Sequence, residues 1–221
     1  MSEDGMPAEA RFRRQLEDEV SHSGIDLPEG CLDRLTEHYR LLVKWNRKVR
    51  LVGTTEPAEI ASRHTFESLV VVPHIAEPRG SLLDIGSGNG FPAIPLKCAL
   101  PDLRVVMMEP TLKKGAFLDM AITALRLPDT SVVRDRVDRA SDLLRHGRWD
   151  SITMRAVAAI RPVLSAAPGV LRAGGRVLLL VGRRGRDETA ALALPPLNLV
   201  KVIPQPGRDA SWLAVVQYDP T

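Results

Sequence analysis

Near residue 80 the spacing of apolar positions changes, dividing the chain into two textures. Before that point helical periods dominate. Leu32, Leu35, Tyr39, Leu42 and Asn46 recur at spacings of three and four residues and share one side of a helix. Arg40, Lys44, Arg47 and Lys48 fall nearly opposite, on a solvated face. A second helix is expected to open at Pro57, a residue suited to a first helical turn, and to run to about Val72, ahead of Pro73. From Gly80 onward, short apolar runs alternate with helical stretches. Residues 81–85, 104–109, 131–134, 151–154 and 176–181 are predicted strands, and a helix is predicted over 112–125. A polar, Arg-rich loop then leads to two last strands, 197–203 and 212–216, separated by Pro204, Pro206 and Gly207. This alternation predicts the α/β class, a doubly wound and mostly parallel sheet covered on both faces. The turn-rich final pair suits an antiparallel edge. The expected organisation is an N-terminal helical extension over 1–78 followed by a Rossmann-like domain over 79–221.

Composition narrows the class without naming a chemistry. A length of 221 residues allows one substantial domain plus an extension. Aromatic residues make up only 4%, so the core must rest on Leu, Val, Ile and Ala. Residues 1–22 are polar and mixed in charge, which argues against a secretory signal, and no apolar run approaches the ~20 residues of a membrane span. Cys31 and Cys98 stand far apart with no CxxC or Cys/His cluster, so neither a disulfide framework nor a metal site is expected. A cytoplasmic protein is expected. The net charge of +3 is too mild to imply a nucleic-acid partner; where the charges lie matters more.

The candidate chemistry centres on residues 83–92, Leu-Asp-Ile-Gly-Ser-Gly-Asn-Gly-Phe-Pro. A buried strand here runs into glycines that let the backbone turn tightly and approach a ligand. A dinucleotide fingerprint would need glycine where Phe91 stands. Asp84, at the strand end, is a poor neighbour for a pyrophosphate but suits a ligand with an ammonium and a sulfonium, as in S-adenosylmethionine. Glu109 ends the second strand, 21 residues after Gly88, where an acidic side chain can accept both ribose hydroxyls. Asp138 follows the third strand beside Val137, where adenine would rest; a plain helix-start acid is the competing reading.

On these residues the chain resembles the RsmG (GidB) family of bacterial 16S rRNA guanine-N7 methyltransferases. The likeness runs from about Leu41 to Gly182. It is carried by Lys44-Trp45-Asn46, Arg63-His64, Glu67-Ser68, the loop from Asp84 to Pro92, Lys113-Lys114, Arg136-Val137-Asp138 and Arg155-Ala156. The sequence departs from the family pattern at Arg50-Leu51-Val52, Ala93, Met154 and Val181. The resemblance implies a Rossmann-like methyltransferase fold and S-adenosyl-L-methionine as cofactor. By position it also implies cofactor contacts at Gly86, Phe91, Val137, Asp138 and Arg155; the residue reading adds Asp84, Gly88 and Glu109.

Guanine N7 carries a lone pair and no proton, so no general base is expected and catalysis is positioning, with Arg155 orienting the methionine carboxylate or the guanine O6. The implied partner is 16S rRNA or the small ribosomal subunit, met by a monomer. Arg47 and Lys48, with Arg40, Lys44 and Arg50, form one candidate phosphate-binding patch, and Arg183 and Arg184, with Arg186, form another. His64 is either an RNA contact or a satisfied histidine at the core edge. A small-molecule methyltransferase, a relative with a different RNA target and a non-catalytic RNA-binding relative share many of these features. The first should be indifferent to salt, and the last should lack cofactor affinity.

Overall fold

The computed structural model describes residues 5–155, 160–192, 195–206 and 210–220. The apolar runs after residue 80 form β1 (Ser81–Ile85), β2 (Arg104–Met108), β3 (Thr130–Val133), β4 (Trp149–Arg155), β5 (Leu171–Gly182), β6 (Leu197–Pro204) and β7 (Ser211–Tyr218). They join in one sheet of order β3-β2-β1-β4-β5-β7-β6. The first five are mutually parallel, and β7 inserts antiparallel between β5 and β6, as the turn-rich final pair predicts. β4 and β5 start earlier than their apolar runs suggest, with a register irregularity between Trp149 and Ser151. Because the order reverses between β1 and β4, a crevice opens beyond their carboxyl ends, where such sheets take their ligands.

Alternation along the strands sends successive residues to opposite faces. Leu82, Val105, Met107, Leu178 and Leu180 enter one hydrophobic cluster; Leu83, Ile85, Ile152, Val177 and Leu179 enter the other. The first face is covered by α5 (Ala93–Ala99) and α6 (Leu112–Leu125), and the N-terminal helices α1 (Ala8–Ser21) and α2 (Cys31–Asn46) join the same cluster. Phe12, Leu16, Leu35 and Leu42 are buried there, each contributing about 1.5–3 kcal/mol, so the helical extension is bound to the sheet as a layer of its core. The second face is covered by α7 (Ala140–Leu144) and α8 (Ile160–Val170).

Two expectations change in detail. The helix expected from Pro57 to Val72 is composite: α3 (Pro57–Ile60), a π-helical turn over Ala61–Phe66, α4 (Glu67–Leu69) and a short 3₁₀ turn over Val72–His74. In the wide turn the Thr65 hydroxyl donates to the Ile60 carbonyl at 3.1 Å, and such turns re-aim the side chains around them. The Arg-rich stretch after β5 is α9 (Arg183–Leu192), not a loop. Its Thr189 is buried, and Arg186 lies over the Trp212 ring, tertiary support that a polar sequence does not advertise.

Candidate functional site

β1 carries the chain into the switch-point crevice, and its last turn is shaped by three glycines of positive φ: Gly86 at 74°, Gly88 at 53° and Gly90 at 90°. Gly86 and Ser87 donate their N–H groups to the Met108 carbonyl at the end of β2, and Ile94 donates to Gly90 as α5 begins. Glu109 braces this turn. Its carboxylate accepts from the Gly88 N–H at 2.9 Å and from the Thr111 N–H at 2.8 Å, and the residue is buried. The spacing of 21 residues therefore brings Glu109 to the glycine turn, which it holds through the backbone while retaining lone pairs for a further donor.

Asp84 is only 1% exposed, with Oδ1 accepting from the Thr153 hydroxyl of β4 at 2.7 Å. Its Oδ2 has no hydrogen-bond partner among the described residues. Burial pushes the carboxyl up to about 6 and Glu109 adds to the rise, against the Ser87 and Thr153 hydroxyls and the Arg155 guanidinium. A buried carboxylate with an open acceptor is costly unless a donor or cation meets it. A Cβ added at Gly88 would stand 3.7 Å from the Gly86 carbonyl and 4.0 Å from Glu109, so the missing side chain leaves room above the turn. Orphaned anion and open cradle both fit a ligand bearing an ammonium and a sulfonium.

The remaining expected residues are distributed around this turn. Phe91 is buried, with the His64 ring stacked at 5.3 Å on one side and the His38 ring tilted at 4.9 Å on another. Val137 is buried, whereas the Asp138 carboxylate is exposed and paired with Arg136 at 2.7 Å. Arg155 ends β4 with its Nη2 on Glu67 Oε2 at 2.6 Å and on the Arg63 carbonyl, so the structure couples it to the helical layer. Arg47 and Lys48 are exposed on the turn after α2. That turn leads to Leu51, whose carbonyl accepts from the Asn89 side chain of the glycine loop. Arg183 and Arg184 are exposed just past the carboxyl end of β5, on the same rim. Of the departures, Met154 is a core residue; with Val181, Ile160 and Leu179 it lines an apolar cavity of about 130 Å³.

Three participants escaped the sequence reading of the site. His38 donates its Nε2–H to the Asn89 carbonyl at 3.0 Å, and burial pushes its imidazole down to about 4, so it is neutral. Its spacing from Leu35 and Leu42 places it on the buried stripe, a signal that was present. Thr153 faces Asp84 only because β1 and β4 pair in the register Asp84↔Thr153, which no local pattern reveals. Glu67 meets Arg155 across 88 residues of chain. Among the described residues no group of three or more His, Cys, Asp or Glu could hold a metal ion, and no helix is long and apolar enough to cross a membrane.

Comparison with known proteins places this geometry. A family model described as "GidB: rRNA small subunit methyltransferase G" matches residues 32–196. "Ribosomal RNA small subunit methyltransferase G" of Methylobacillus flagellatus is 32% identical over 199 residues, covering 90% of this chain and 94% of the relative. The protein of that description from Alkalilimnicola ehrlichii is 36% identical over 173 residues, 78% of this chain and 76% of the relative. Among solved structures, a ribosomal protein L11 methylase from Lactobacillus delbrueckii subsp. bulgaricus superposes with a TM-score of 0.59 at 11% identity, covering 72% of this chain and 79% of that one. TrmN from Thermus thermophilus gives 0.58 at 22% identity over 70% of this chain and 48% of its own. At these identities the structural likeness bears on the fold alone, a Rossmann-like methyltransferase fold.

Proposed function

The chain belongs to the rRNA small subunit methyltransferase G family, and from that premise we propose that it transfers a methyl group from S-adenosylmethionine to guanine N7 in 16S rRNA. The observation that carries the cofactor site is the buried Asp84 carboxylate, open at Oδ2, beside the glycine turn at the sheet's switch point. When bound, the cofactor supplies an electrophilic methyl group on a sulfonium. Asp84 receives its positive end. Gly86 and Gly88 let the backbone approach it, and Glu109 receives the ribose hydroxyls while bracing the turn. Phe91 and Val137 supply apolar surface, and Asp138 takes the exocyclic amine at the rim. Arg155 orients the methionine carboxylate or the guanine O6 from the end of β4. N7 has no proton to lose, so what the protein provides is alignment and exclusion of water.

The acceptor is 16S rRNA or the small ribosomal subunit, met by a monomer in the cytoplasm. Support for an RNA surface comes from Arg47 and Lys48 on one side of the rim and Arg183 and Arg184 on the other, all exposed. The partly exposed His64, stacked on Phe91, is the further side chain assigned to RNA. The direct test supplies S-adenosylmethionine and small subunits lacking the modification, then maps 7-methylguanine along 16S rRNA. Modification at a discrete guanine is expected; transfer to small molecules alone overturns the reading.

Two further results are expected. Glu109→Ala should weaken cofactor binding by about 1.5–3 kcal/mol, the range for charge-assisted hydrogen bonds, as read by calorimetry. Unchanged affinity in the folded variant removes Glu109 from the site. Neutralising Arg47, Lys48, Arg183 and Arg184 together should flatten the salt dependence of RNA affinity by about one logarithmic unit per lost phosphate contact. Cofactor affinity should stay parental, because these side chains stand on the rim. A quadruple variant that methylates ribosomal substrate like the parent at near-physiological salt rules this surface out.

A further inference from the structure

Arg155 and Asp84 are diagonal neighbours across the β1–β4 pair, yet the guanidinium is engaged elsewhere. In the β1–β4 register Asp84 stands opposite Thr153, and Arg155 is two residues further along β4, hence on the same face of the sheet. Neighbouring strands lie about 4.8 Å apart and residues two apart along a strand about 6.6 Å, a diagonal that a long side chain can span. The electrostatic influence of Arg155 is felt at Asp84, lowering its tendency to hold a proton. The guanidinium nevertheless turns to the helical layer, where Nη2 meets Glu67 Oε2 at 2.6 Å and the Arg63 carbonyl. Glu67 is 1% exposed, and Arg63 stands in the π-helical turn immediately before α4. The irregular helix thus brings a carbonyl and a carboxylate, four residues apart in sequence, onto one guanidinium group.

We propose that Glu67 is a positioning residue: it holds Arg155 off Asp84 and so keeps the Asp84 carboxylate open for the positive end of the cofactor. The proposal rests on reading this cleft as the cofactor site. Three carboxylates share the neighbourhood, those of Asp84, Glu109 and Glu67. Glu109 accepts from the Gly88 and Thr111 N–H groups and Asp84 Oδ1 from Thr153, whereas Asp84 Oδ2 accepts from nothing among the described residues, which makes it the acceptor Arg155 would seek if released. A pair formed there would have to be broken each time a cationic ligand entered. The buried Glu67 carboxylate, 2.6 Å from Nη2, engages the guanidinium and removes that competition. Through this pair the helical extension acts on the cofactor cleft.

The test is the titration of Asp84 itself, followed by carboxyl NMR in the ligand-free protein, where its outcome does not depend on what the cleft binds. In Glu67→Gln, Arg155 is expected to swing to Asp84 and lower its midpoint by about one pH unit or more, with S-adenosylmethionine affinity at neutral pH falling about tenfold. Adding Arg155→Met to Glu67→Gln should return the midpoint to the parental value or above, a reversal that loss of packing at Glu67 would not produce. A parental Asp84 midpoint in folded Glu67→Gln, or a lowered one that persists in the double variant, overturns the proposal. Should Glu67→Gln fail to fold, Glu67→Asp keeps the charge but shortens the reach and must move the midpoint down as well. A parental midpoint in that variant also overturns it. If the midpoints move as expected but the parent has no affinity for S-adenosylmethionine, the clamp stands and the reading of the cleft fails instead.

Discussion

At pH 5 the protein is expected to bind S-adenosylmethionine about tenfold more weakly than at pH 7, and Asp84→Asn to abolish most of that difference. The expectation follows from a carboxyl pushed by burial up to about 6. A cationic ligand binds the ionised form, so apparent affinity tracks the ionised fraction, roughly one-tenth at pH 5 and nine-tenths at pH 7. At pH 7 the variant should bind about 10–100-fold more weakly, the cost of losing a charge-assisted contact. Stability should move the other way. Between 3.8 and about 6 the folded protein holds a proton that the unfolded chain has released, so this residue's contribution is lost as pH rises through that window. At neutral pH the ligand-free fold carries the penalty of a buried, half-satisfied anion, and the asparagine variant should unfold at a higher temperature than the parent. Calorimetric affinity at both pH values and thermal unfolding without ligand check the pair of effects. A variant that loses stability and affinity together would mark Asp84 as a plain structural residue.

Gly88→Ala and Gly90→Ala should separate binding from folding within one loop. At Gly90 φ is 90°, and a Cβ would stand 2.4 Å from Ile94 Cδ1 and 2.9 Å from Cγ1, with His38 Nε2 at 3.3 Å. Ile94 is itself buried in α5, so it has little room to give way. Backbone strain and overpacking together are expected to cost about 2–4 kcal/mol, a fall in unfolding midpoint of roughly 5–15 °C for a chain of this size. At Gly88 φ is 53°, within the left-handed region that other residues enter for about 1–2 kcal/mol, and a Cβ would meet nothing nearer than 3.7 Å. Gly88→Ala should therefore fold, yet bind cofactor at least about tenfold more weakly, because its methyl group enters the space above the turn. Thermal unfolding and calorimetry on the two variants decide the matter. Parental cofactor affinity in Gly88→Ala would move the ligand away from this turn.

His38 of α2, which contacts this loop at the Asn89 carbonyl, adds an acid response of its own. Its imidazole is pushed down to about 4 by burial, so the folded state refuses a proton that the unfolded chain accepts below about 6.5. This contribution is intact above that value and is lost progressively as pH falls toward 4.

Much of this molecule was legible before any coordinates. Periods of two and of three to four residues located the strands and the helix over Leu112–Leu125, because side-chain direction repeats with backbone geometry and burial follows it. The glycine turn, Asp84 and Glu109 were legible for a related reason: positive φ and a strand-end carboxylate are local requirements written into residue types. What the tertiary structure alone decided is which distant groups meet. Thr153 reaches Asp84 across 69 residues through a strand register, and Glu67 reaches Arg155 across 88 through a π-helical turn. The tie of Arg155 to the helical layer was likewise beyond any local pattern. The Arg-rich segment became α9 because Arg186 found the Trp212 ring of β7 and Thr189 a buried position. Such pairings depend on register and on how layers pack, and these are set by the summed burial of two whole faces, a quantity that no short window of residues contains.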